Sequence, residues 1–126
     1  YGRHAMTETL HDVMNDYGAD AYLLTVGTNG PHTSLVTLNW QEGRLACTLG
    51  KSAARNVASQ PNVSLLWPPL ETGGYSIVVN ARITIAENNP HPVASLTLTK
   101  AVFRRAGARP EGSTGPCPND CKPIST

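Results

Sequence analysis

Residues 7–17 place Leu10, Val13, Met14 and Tyr17 at positions i, i+3, i+4 and i+7, which predicts a helix with one apolar stripe. Thr7 or Thr9 caps its start, and Gly18 stands where such a helix ends. The pattern then changes period. Residues 21–26 form a short β-rich run. Residues 32–40 alternate, and 44–49 form a third run. Asn29-Gly30 and Glu42-Gly43 mark tight turns between them, the first with the pair that type I′ hairpins prefer. Residues 52–60 read as a second helix, stopped by Pro61.

Three more strands follow: 62–67, 75–86 with half-buried alternation, and 93–105. Asn88-Asn89-Pro90-His91-Pro92 connects the last two. Residues 107–126 are rich in Gly, Pro, Ser and Thr without periodicity, the composition of a disordered tail. Residues 1–5 precede Met6 and are read as an expression remnant, leaving a domain over 6–106. Six strands with few crossovers and two short helices predict a mainly β fold, an antiparallel Greek-key barrel.

Composition narrows the function. The 126 residues suit one domain with one core. A net charge of +1 and 6% aromatics give neither an electrostatic footprint nor stacking platforms for nucleic acid. No apolar run approaches the ~20 residues of a membrane helix. Three cysteines are too few for a disulfide framework, so a cytoplasmic location is expected. Cys47 alternates with apolar neighbours and reads as a buried thiol. Cys117 and Cys121 leave a small closed loop or a metal site open, but no histidine lies near them in sequence. No metal site, paired carboxylate or Ser-His-Asp set is assembled, so no catalytic residue is named.

The stretch "TLGKSAARNV" (48–57) carries Gly-Lys-Ser between a strand and a helix. A nucleotide-triphosphate loop requires a glycine at position 45, where Leu45 stands, so that reading fails. A simpler phosphate site survives. With Ser52 as N-cap, the free N–H groups and the helix dipole favour an anion. Lys51 adds a charge, and Arg55 can fork two phosphate oxygens. A capped surface helix with two solvated cations is the competing reading.

Four pieces carry a family resemblance: "VGTNGPHTS" (26–34), "GKSAARNV" (50–57), "QPNVSLLWP" (60–68) and "IVVNARITI" (77–85). In that order and spacing the chain resembles the pyridoxamine 5′-phosphate oxidase-like family of FMN-binding split barrels. The resemblance implies a six-stranded split barrel that forms a homodimer, with FMN, or in some relatives a deazaflavin coenzyme, at the interface. It implies that Lys51, Ser52 and Arg55 hold the phosphate, that Ser34, Leu35, Val36 and Thr37 meet the ring, and that Thr48 lies between. Trp67 would stack near the cofactor or at the dimer seam, or simply fill the core; His32 is a proton donor near the ring or an exposed turn residue.

Three positions depart from the pattern. Ala53 replaces the usual lysine, Asn80 replaces a strand glycine, and Tyr75 stands where the vitamin B6 oxidase has a glutamine. That enzyme's C-terminal Arg-x-His signature is also absent. The expected activity is a flavin- or deazaflavin-dependent oxidoreductase acting on a small organic substrate. A non-catalytic split-barrel binder of a cofactor or small ligand is the alternative.

Overall fold

A computed structural model describes residues 9–87, 91–106 and 120–125. Residues 1–8, with Met6 and Thr7, the 88–90 connector, Cys117 and most of the 107–126 tail lie outside the described residues. Helix α1 (Leu10–Tyr17) starts at Thr9, whose hydroxyl accepts the Asp12 amide at 3.2 Å. It ends at Gly18, where a φ of +91° suits only glycine and the amide returns to the Met14 carbonyl. Leu10 and Val13 turn its apolar stripe into the core.

Among the described residues eight strands follow in one antiparallel sheet: β1 (Asp20–Gly27), β2 (Gly30–Thr37), β3 (Asn39–Gln41), β4 (Arg44–Thr48), β5 (Asn62–Trp67), β6 (Ser76–Glu87), β7 (Val93–Arg105) and β8 (Asp120–Ile124). Helix α2 (Lys51–Ser59) joins β4 to β5. The sheet order is β2-β1-β5-β6-β7-β4-β3, and β8 pairs with β7 beyond the end of β4. The two path ends, β2 and β3, are consecutive in the chain. The expected strand over 32–40 is therefore two. It breaks at buried Leu38, whose amide bonds the Ala19 carbonyl, and crosses from one sheet edge to the other. That crossover curls the sheet into a split barrel.

Turn chemistry differs from the sequence expectation at the first hairpin. Thr28 and Asn29 make the turn without positive φ, and Gly30 takes φ +125° as the first residue of β2. Type I′ geometry needs two positive φ angles; the pattern falls instead at Glu42 (φ 52°) and Gly43 (φ 82°). Asn80 keeps a bulge without a left-handed backbone: Asn80 pairs with Lys100 and Ala81 with Leu98, so Thr99 is the extra residue. The tail adds a strand that composition hid. β8 buries Ile124 and brings Ser125 to a bridge with Thr9.

Register sorts the side chains. An inner row runs Ser34, Leu23, Leu65, Val79, Ala101, Ile124 across six strands, apolar except at its β2 end. The matching outer row runs Leu35, Tyr22, Leu66, Val78, Val102, Pro123. Its first two members are 63% and 39% exposed, a continuous apolar band on the surface.

Candidate functional site

Helix α2 has two faces. Ala53 and Val57 are buried in the core. Ser52, Arg55, Asn56, Ser59 and Gln60 follow at i, i+3, i+4, i+7 and i+8, a polar stripe along one face. That stripe forms one wall of an open groove of about 550 Å³, and the β1–β2 hairpin from Val26 to His32 forms the other.

Among the described residues one side-chain hydrogen bond ties the helix to the hairpin. Asn56 Nδ2 donates to Thr25 Oγ1 at 3.0 Å, and Thr25 is 1% exposed. Gly27 allows this approach: a Cβ there would lie 2.8 Å from Asn56 Oδ1. His32 pairs across the hairpin with Thr25.

The inner face of β2 is polar, set against Thr25 and Leu23 of β1. His32 and Ser34 share it, and among the described residues His32 Nδ1 and Ser34 Oγ are buried with no hydrogen-bond partner. Such atoms cost free energy unless something fills their valences, which an ordered water or a ligand can do. β2 ladders only with β1 among the described residues, so its second backbone edge is open beside them.

The residues expected at the site fall into three groups. Ser52 and Arg55 line the groove together, and Arg55 Nη2 donates to Ser52 Oγ at 3.5 Å. Ser52 is not the N-cap: α2 begins one residue earlier, with Gly50 as a cap that offers no side chain. Lys51 is the exposed first residue of α2 and is not part of the groove wall. On β2, Ser34 and Val36 point inward while Leu35 and Thr37 point outward, and the Thr37 hydroxyl donates to Asp20 Oδ1 at 2.7 Å. A flat ligand at this strand therefore meets four residues through backbone rather than through one row of side chains.

The third group stands apart. Thr48 is exposed at the end of β4. Trp67 is 1% exposed, and its Nε1 donates to the Gly18 carbonyl at 3.0 Å, joining β5 to the end of α1. Ala53, at the place of the usual lysine, is also 1% exposed, so that position faces the core rather than the groove. Tyr75 lies just before β6, roughly seven residues of strand from the groove, on the order of 23 Å.

Sequence reasoning missed Asn56, Ser59 and Gln60 as groove residues. The i, i+3, i+4 spacing of the polar stripe was there to be read. The Asn56–Thr25 contact, 31 positions apart, was not. Burial pushes the Cys47 thiol up to about 11, which keeps it a protonated core residue. Among the described residues no three His, Cys, Asp or Glu side chains gather as a metal set, and no helix is long and apolar enough to cross a membrane.

No family model matches the chain, and no curated protein matches it. Solved structures do. A Clostridium acetobutylicum protein of the pyridoxinephosphate oxidase family, related to general stress protein 26, aligns with a TM-score of 0.62 at 10% identity, over 76% of this chain and 86% of its own. A Mesorhizobium loti FAD-binding protein aligns at 0.60 and 11% identity, over 73% and 87%. The heme storage protein HutZ of Vibrio cholerae aligns at 0.58 and 14% identity, over 72% and 91%. At these identities the likeness speaks for the fold: this chain has the split-barrel architecture of the pyridoxamine 5′-phosphate oxidase-like and general stress protein 26 proteins.

Proposed function

We propose that the groove between α2 and the β1–β2 hairpin binds FMN, and that the protein is a homodimeric oxidoreductase acting on a small organic substrate. The observation that carries this reading is the polar stripe of α2 set opposite a hairpin whose His32 Nδ1 and Ser34 Oγ are buried without partners. The donor set fits the cofactor. Ser52 and Arg55 offer a hydroxyl and a forked guanidinium to a phosphate, and Lys51 adds charge at the helix start, where the dipole already favours an anion. The open edge of β2 at Ser34, Leu35, Val36 and Thr37 offers alternating backbone donors and acceptors to a ring edge. A bound flavin supplies the hydride chemistry; the chain supplies binding and orientation. A deazaflavin coenzyme is the alternative occupant of the same donors.

The second copy is proposed to cover the outer apolar row headed by Leu35 and Tyr22, which no element of this chain covers among the described residues. Neither nucleic acid nor membrane is a proposed partner. A cytoplasmic location is proposed from the low cysteine count. Cys121 is disulfide-bonded, which is uncommon in that compartment, so thiol counting on protein from its native host decides the point.

Titrating FMN into the protein and following quenching of flavin fluorescence tests the reading. Saturable binding that Arg55→Ala abolishes and Lys51→Ala weakens supports it. Absence of saturable binding to FMN and to the deazaflavin overturns it. A second reading, a non-catalytic binder of heme or another small ligand, is favoured by buried Ala53, which removes a phosphate cation, and by the heme-storage relative of the same fold. A Soret band developing on heme titration, without flavin binding, selects it.

A further inference from the structure

Strand β8 works as a strap. Its ladder covers the β7 edge from Ala101 to Arg105. Its last residue, Ile124, is buried opposite buried Ala101. Just beyond, the Ser125 carbonyl accepts the amide of buried Leu10 at 3.2 Å, and Ser125 bridges Thr9. One short strand thus closes a sheet edge, fills a place in the core and fixes the start of α1. Near its other end Cys121, opposite Arg104, is disulfide-bonded. The chain has three cysteines and Cys47 is a free thiol. The partner left within the chain is Cys117, which lies outside the described residues.

Little in β8 itself makes it a strand. It has five residues, and Pro123 brings no N–H to the ladder. Lys122 and Pro123 are exposed, so Ile124 is the apolar anchor. Lys122 Nζ, 4.9 Å from the Tyr75 ring centroid, adds a surface contact. A segment with so few contacts of its own docks more firmly when a cross-link narrows its undocked freedom. The disulfide stands where it has that effect.

We propose that the Cys121 disulfide is a redox switch for β8, closed when oxidised and released when reduced. A dithiol reductant supplies two electrons and two protons. The S–S bond at Cys121 breaks to two thiols, and the dithiol closes to its own disulfide. Release of β8 frees the β7 edge, empties the socket of Ile124 and strips the Leu10 amide of its acceptor. Cys47 takes no part, since it is buried and carries no bond to reduce. In a reducing compartment the disulfides that occur are mostly transient, catalytic or redox-sensing, so a switch reconciles this bond with a cytoplasmic location. The switch does not rest on what the α2 groove binds.

Amide hydrogen exchange of the intact chain, oxidised and then treated with dithiothreitol, tests this. Thiol counting follows the bond: one thiol before treatment, three after. On reduction the Leu10 amide and the β7 amides facing β8 are expected to exchange at least about tenfold faster. Amides between β5 and β6 are expected to stay within about twofold, and reoxidation to restore the slow rates. Cys121→Ser is expected to match the reduced protein without reductant and to ignore dithiothreitol. Ile124→Ala, still oxidised, is expected to speed Leu10 exchange as well, because it loosens the strap by another route. Unchanged Leu10 exchange with three thiols counted, equal acceleration between β5 and β6, or a Cys121→Ser protein that still responds to dithiothreitol each overturns the proposal. So does a bond that dithiothreitol leaves closed, or slow Leu10 exchange in Ile124→Ala.

Discussion

Replacing Asn56 by alanine tests how α2 is held in place. The substitution removes the Nδ2 donor that bonds Thr25 Oγ1 at 3.0 Å. Thr25 is 1% exposed, so water cannot readily take the donor's place. Leaving a buried hydroxyl without its partner costs about 1–3 kcal/mol. Alanine is a better helix former than asparagine, which returns roughly 0.5 kcal/mol. The expected net loss is therefore about 0.5–2.5 kcal/mol in urea unfolding. Thr25→Val in the same chain removes the stranded hydroxyl and should recover part of that loss.

Gly27→Ala supplies the second arm of the argument. Its new Cβ would meet Asn56 Oδ1 at 2.8 Å and Nδ2 at 3.1 Å, so the amide must swing away and give up Thr25. Alone, this change should cost about as much as Asn56→Ala, because both break the same bond. In the Asn56→Ala background the clash is gone, and the added cost should fall to a few tenths of a kcal/mol. The double-mutant cycle thus expects strong coupling. Additive effects, or an Asn56→Ala protein within about 0.3 kcal/mol of the parent, would refute the claim that this contact fixes α2 against the hairpin. Because Ser52 and Arg55 ride on the same helix, both variants should also loosen FMN where the parent binds it.

In the groove, Arg55→Ala should weaken FMN at least tenfold and Lys51→Ala less, because only Arg55 lines the wall; isothermal titration reads both. Tyr22→Lys with Leu35→Lys puts two charges in the outer apolar row and should yield monomers by light scattering, while circular dichroism stays unchanged. Cys47 gives a pH test. Its thiol pKa rises from an ordinary 9.0 to about 11, so above pH 9 the unfolded chain releases a proton that the folded chain keeps. Stability from this group is intact below pH 9 and falls by about 3 kcal/mol as pH climbs through 11. Cys47→Ala should flatten that part of the urea stability profile; a profile unchanged by the substitution would contradict the buried-thiol assignment.

What could be read along the chain was whatever depends on neighbours a few residues away. The stripe of α1, the alternation in β6 and Pro61 after α2 are local and appear where the pattern placed them. Ser52 and Arg55 also came together, because three residues of helix bring two side chains to one face. The misreadings have the opposite character. Nothing near Leu38 says that the chain crosses to the other sheet edge there; the break follows from the need of β2 and β3 to reach opposite edges of a curled sheet. β8 looks like linker because its stability comes from the β7 edge and the socket of Ile124, not from its own composition. Asn56 belongs to the same class. It reads as a polar helix residue until β1 is laid beside it, and only then does Gly27 acquire a reason to be glycine. The groove is thus a tertiary object made from two local ones: a polar helix face legible in spacing, and a polar inner edge of β2 visible only once register sets His32 opposite buried Thr25 and Ser34 opposite Leu23. A ligand that needs both should lose affinity when either the spacing or the register is disturbed, even with every groove side chain retained.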